Sequence, residues 1–192
     1  MALFEVEFEL PAAQHRLMGY PGLRQGQVLS VILDAGVLLP DPGAESWYAV
    51  QKEPLVRQLK QTGRARYAFA GQIQEADLRK EQGEAFATLL VDCGPVALRV
   101  TCGPREDGTL PYGTWETRYL AGYGLLQGVV EEDFRTPIGR VQDVTIWGFR
   151  RLVLHPGDPA FGEWHESTEL PATPYEFDRV LVTARVHRTI IG

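Results

Sequence analysis

Aromatic rings and arginines recur together along this chain. Arg64, Arg66, Tyr67 and Phe69 fall in one strand-like run, Arg99 in a second, and Trp147, Phe149, Arg150 and Arg151 in a third. Aromatic faces stack on bases and cations track phosphates, so such a set suits single-stranded nucleic acid. If the runs share a barrel, strand alternation carries Tyr67, Arg99, Trp147, Phe149 and Arg151 to one face. Those five are the expected nucleic-acid-binding residues, with Trp147 and Phe149 side by side on the outer wall. The plain alternative is that the two rings are covered by the N-terminal part of the chain or by a sister subunit, and the arginines are ordinary surface charges.

Other chemistry is sparse. The histidines are His15, His155, His165 and His187. Glu163-Trp164-His165-Glu166 offers two metal donors, but a site needs a third and fourth from elsewhere, so no metal is expected. Acidic groups cluster at Glu131-Glu132-Asp133 and Glu106-Asp107, where turns carry them anyway. There is no phosphate loop, dinucleotide fingerprint or nucleophile elbow. No catalytic residue and no cofactor follows, and the balance leans away from an enzyme.

The elements that must position these residues are strands. Of 192 residues, 44% are hydrophobic and 23% charged, which fits a globular chain rather than long disorder. The net charge of −6 excludes a globally basic surface, though not a local basic groove. Cys93 and Cys102 flank one strand, and two reduced, buried thiols in a cytoplasmic protein is the simplest account. The start, MALFEVEFELP, has neither the basic nor the apolar segment of a signal peptide. No apolar run approaches the ~20 residues of a membrane helix, so no membrane partner is expected.

Along the chain, Leu3–Leu10 alternates Phe4, Val6, Phe8 and Leu10 with Glu5, Glu7 and Glu9, predicting one buried and one wet, acidic face. Pro11–Gly26 reads as a loop with one helical turn. Gln27–Asp34 (QVLSVILD) is a continuous, β-branched run, a strand buried on both faces or at an interface. Pro54–Thr62 is the predicted short helix, with Pro54 in its first turn and Gly63 as its stop. Strands are predicted over Arg64–Gln74, Glu84–Asp92, Val96–Cys102, Tyr119–Val130 and Arg140–Leu154, with Gln74–Gln82 as a long hairpin loop. In the third of these, Arg99 faces away from the core. A long loop at 155–174 carries Phe161 and Trp164, which are costly to leave in water. Arg179–Ile191 closes the chain with clear alternation.

These elements give a mainly β fold in one domain. It consists of a β-rich N-terminal extension with one short helix (1–63), an antiparallel β-barrel core (64–154), and a long loop with a closing strand (155–192). The run Leu120–Val129 (LAGYGLLQGV) resembles the fourth strand of many OB-fold domains, where a leucine, a turn glycine and a later glycine precede strand five. The runs from Tyr67 to Cys102 look like its first three strands. The helix usual between strands three and four is not visible at 103–118. The resemblance covers about residues 64–154 and implies a five-stranded Greek-key barrel with ligand on its middle strands. The same glycines are also similar to those of closed eight-stranded barrels of the calycin type. That likeness implies an apolar cavity, lined by residues such as Phe86, Leu98, Leu126 and Ile146.

Three functions follow from these readings. The first is a non-catalytic module binding single-stranded nucleic acid. The second is a small-molecule carrier or enzyme with an apolar cavity. The third is an assembly protein whose QVLSVILD strand and 155–178 segment bury against other copies. The first is preferred, with a homo-oligomer expected in any case.

Overall fold

The computed structural model describes residues 4–37, 46–104, 108–110, 118–130, 138–172 and 175–187. The acidic clusters at 106–107 and 131–133 and the last residues of the closing strand lie outside them. The elements are β1 (Phe4–Glu9), α1 (Ala12–Leu17), β2 (Leu23–Arg24), β3 (Val28–Val37), β4 (Trp47–Gln51), β5 (Gln58–Gly63) and β6 (Arg66–Glu81). They continue with β7 (Glu84–Asp92), β8 (Ala97–Cys102), β9 (Tyr119–Val129), β10 (Gln142–Leu152), β11 (Trp164–Ser167), β12 (Glu169–Leu170) and β13 (Arg179–Val186).

The fold is mainly β, with one short helix and one 11-stranded sheet. Eight of its strands close a ring in the order β10-β13-β1-β9-β6-β7-β8-β3, not evenly round an axis. A direct β3–β9 pairing, from Ile32↔Val129 to Ala35↔Leu126, divides this ring into two five-stranded loops that share both strands. In one loop β6, β7 and β8 form a meander, β9 returns beside β6, and β3 closes the gap parallel to β8 at Asp34↔Arg99. A fourth strand lying beside the first is the Greek-key order. In the other loop β10, β13 and β1 run side by side, β3 lies beside β10, and β9 closes parallel to β1 at Glu9↔Gln127.

Several expectations change. The ring draws β1, β3 and β13 from outside 64–154, so the N-terminal part is built into the barrel rather than added to it. Two of its contacts are parallel, which rules out an up-and-down meander. QVLSVILD is a continuous β-branched run because β3 serves both loops. Val31 and Leu33 enter the main core, and Ile32 is buried on the other face near Gly139. That strand is therefore built into the ring, with Val28 at its start 51% exposed.

The predicted helix over Pro54–Thr62 is absent. Residues 58–63 instead form β5, paired with the edge of β6 from Gln58↔Ala70 to Gly63↔Arg66. Val56 is 81% exposed and Leu59 is buried, so the supposed apolar stripe has nothing to pack against, and edge pairing prevails over local propensity. Among the described residues the one helix is α1, beginning directly after Pro11 and pinned by the fully buried His15. The helix formers of Gln74–Gln82 likewise continue β6 as half of a long hairpin with β7. Its turn sets Gln82 (φ 51) and Gly83 (φ 87) both left-handed, the two-residue geometry that matches strand twist.

The core is tightly filled. A Cβ at Gly122 would lie 2.5 Å from Phe69 Cζ, and one at Gly128 would lie 2.6 Å from the Phe8 ring. These glycines make room for phenyl rings. Leu98, Leu126 and Ile146 have no exposure and belong to this packed core. Phe86 lies outside it, in a shallow depression with Arg79 and Arg99. The residues expected to line one cavity are thus divided between interior and exterior. Cys93 and Cys102 are buried free thiols, and burial pushes Cys93 up to about 12.

Candidate functional site

Local irregularity in β10 builds the site. Against β13 the register runs Thr145↔Arg185 and Ile146↔Ala184, then resumes at Gly148↔Thr183, which leaves Trp147 as the extra residue of a β-bulge. A bulge shifts side-chain parity by one. Val144 and Ile146 point inward. Trp147 points out, 46% exposed, and beyond the bulge Phe149 points inward and is only 3% exposed. The two rings expected together on the outer wall therefore lie on opposite faces.

The other expected residues also separate. Tyr67 is buried. The Glu7 N–H donates to its hydroxyl at 2.8 Å, and burial, with the Glu7 charge adding to it, pushes its phenol up to about 12. Arg99 does lie on the face away from the main core, but that face is covered, and its guanidinium donates to Asp34. A second small cluster of Leu90, Ala97 and Ile138 packs there. Arg151 donates to Asp178 at 2.6 Å. Asp178 also accepts from the N–H groups of Leu154 and His155. Burial works to raise this carboxyl, but those backbone donors and the Arg151 guanidinium outweigh it and hold it below the usual carboxylate range. Of the five, only Trp147 presents its ring outward to solvent.

What surrounds Trp147 is a ladder of paired charges that the alternation of β1 half revealed. Glu5, Glu7 and Glu9 share one face, as expected, but that face is wet only at Glu5 and closes over Glu7 and Glu9. Glu5 pairs with Arg185 at 3.3 Å and Glu9 with Arg179 at 2.8 Å. Glu7 is only 4% exposed. One of its oxygens accepts from Ala65 N–H at 2.8 Å and Gln61 Nε2 at 3.2 Å, and the other accepts from Arg150 at 3.2 Å. Arg150 also pairs with Glu166 of β11 at 3.3 Å. Two tryptophans lie beneath cations: Arg185 sits 3.7 Å over Trp147, and Arg64 sits 4.2 Å over Trp164. The missing clue was the partner strand, since nothing local to FEVEFE announces the arginines of β10 and β13.

Along this face runs an open groove of about 690 Å3, lined by residues 147–150 of β10, 166–169 of and after β11, and Thr183. Its lining carries one cation, Arg150, and two carboxylates, Glu166 and Glu169. Its volume is that of a small-ligand site.

The histidines do not gather. His15 is buried, stacked 5.0 Å from Tyr175, with Nε2 donating to the Pro21 carbonyl at 2.9 Å. His187 Nε2 lies 2.6 Å from Thr145 Oγ1. His165 is exposed, 3.8 Å from Glu163. Among the described residues no three His, Cys, Asp or Glu converge as metal donors. Among them, too, no helix is long and apolar enough to cross a membrane. No family model, no curated protein and no solved structure matches the chain.

Proposed function

We propose that this protein is a non-catalytic binding module that holds its ligand in the groove over β10 and β11. The observation that carries this reading is Trp147. A bulge thrusts a large ring out of a barrel wall into a groove, where a solvated polar residue would cost nothing. Titrations followed by tryptophan fluorescence provide the test, with a single-stranded oligonucleotide, a neutral oligosaccharide and an extended peptide as probes. A response present in the wild type and lost in Trp147→Ala with any one probe supports the groove. Identical responses of the two proteins to all three refute it.

Single-stranded nucleic acid is the second reading, and strand order favours it. The β6-β7-β8-β3-β9 loop has five strands in Greek-key order with β9 as the fourth, which supports the OB-fold likeness of Leu120–Val129. Self-association draws support from Phe161 and Phe177, both more than half exposed on the segment after β10. Light scattering at high concentration tests it. The two buried free thiols are consistent with a reducing, cytoplasmic setting.

A further inference from the structure

The geometry points to a neutral, hydroxyl-rich ligand, an oligosaccharide, as the occupant of the groove; this rests on the binding-module reading above and names its ligand class. Charge decides first. The lining holds Arg150 against Glu166 and Glu169, and Glu169 is paired in turn with Arg24 at 3.9 Å, so a polyanion meets cations that are already paired. Arg150 is already held between Glu7 and Glu166, and Arg185, over the Trp147 ring, is paired with Glu5. To recruit these guanidiniums a phosphate chain would have to break ion pairs, one of them on a buried carboxylate. A cationic ligand fares no better: Arg150 borders the groove, and Arg185 over one face of the Trp147 ring repels a second cation while leaving the other face to an uncharged ligand.

Hydrogen-bonding capacity decides next. A guanidinium offers only donors and a carboxylate only acceptors, and here the two sit side by side as Arg150 and Glu166. A pair of neighbouring hydroxyls matches that arrangement, since each hydroxyl both donates and accepts. Thr183 adds a hydroxyl that has no hydrogen-bond partner among the described residues. Trp147 supplies what a sugar ring also needs, a flat apolar surface for its C–H face beside polar groups for its rim. The groove is open along its length rather than closed over, which suits a chain of sugar units more than a single compact molecule.

Isothermal titration of the full chain with cellohexaose, xylohexaose, maltohexaose and chitohexaose tests the inference, at about 50 mM and about 200 mM salt. A poly-dT oligonucleotide of about 20 nucleotides is titrated alongside. At least one hexasaccharide should bind, with an affinity that changes less than about twofold between the two salts, because no counterions are released. Trp147→Ala should weaken that binding at least about tenfold while leaving the circular dichroism spectrum unchanged. Thr183→Val, which keeps the strand intact, should weaken it by a smaller factor. If no sugar binds while poly-dT binds in a Trp147-dependent way, the ligand class is overturned and the groove reading stands. If neither probe class binds, the ligand class is overturned, and the groove reading stands or falls by the peptide titration. Sugar binding that survives Trp147→Ala unchanged also overturns the inference, because the sugar then sits elsewhere.

Discussion

Replacing Glu7 tests whether the charged face of β1 holds the barrel together. The carboxylate is 4% exposed, and its three partners differ in what they lose. Ala65 has no exposure and a left-handed backbone (φ 52) in the β5–β6 turn, and its carbonyl accepts from Leu126 N–H. Its N–H therefore has nowhere else to turn, and leaving it unpaired costs about 1–3 kcal/mol. Gln61 is exposed and can hydrogen-bond water. Arg150 is 40% exposed, so losing its pair with Glu7 is worth at most about 1 kcal/mol after solvent screening. The sum for Glu7→Ala is about 3 kcal/mol, or roughly 6–12 °C in Tm for a chain of this size. Glu7→Gln keeps an acceptor for Ala65 and should cost only about 1 kcal/mol. Urea denaturation followed by fluorescence and by circular dichroism measures both variants. If Glu7→Ala costs less than about 0.5 kcal/mol, or if Glu7→Gln costs as much as Glu7→Ala, the buried-donor argument is wrong.

Gly122→Ala sets a methyl 2.5 Å from Phe69 Cζ and should destabilise by about 2–3 kcal/mol, with part of that loss recovered in the double variant with Phe69→Leu. Asp178→Asn should cost about 2 kcal/mol at pH 7. Because the folded-state pKa of Asp178 lies below its unfolded value, its contribution is complete above about pH 4 and fades as pH falls through the folded value. Denaturation curves of wild type and Asp178→Asn should therefore converge on acidification; a gap that widens would contradict the assignment. Cys93 and Cys102 should react with a thiol reagent only as fast as the protein unfolds, and rapid labelling of the native protein would contradict their burial.

The strands were legible in the sequence because period-two alternation survives wherever one face is buried. Val180, Val182, Ala184 and Val186 show it plainly, and all are buried. What alternation cannot encode is a change of parity. Nothing in Ile146-Trp147-Gly148-Phe149 distinguishes a regular strand from a bulged one except the glycine. That single inserted residue turned Phe149 inward and separated the expected binding residues. Long-range pairing was equally hidden. The barrel's use of β1, β3 and β13 depends on contacts such as Glu9↔Gln127 and Asp34↔Arg99, which leave no mark on local composition. Pro54–Thr62 failed for the opposite reason: its local helix signals are sound, but a sheet edge at β6 offered more. Of the groove lining, Trp147, Phe149 and Arg150 were named in advance, and of the two rings only Trp147 faces outward as expected. Its ring of compensating charges is a property of strands brought together from both ends of the chain.

The pairing of β1 with β13, from Phe4↔Val186 to Glu9↔Leu181, also sets a timetable for biosynthesis. β1 finds its principal neighbour only when β13 has been translated, about 10–40 s later at ordinary elongation speeds. Until then Phe4, Val6 and Phe8 travel unprotected. Glu5, Glu7 and Glu9, set between them, give the waiting segment a repulsive charge that keeps it from sticking to other nascent copies. The same three carboxylates thus guard the strand before it folds and lock it once its arginines arrive.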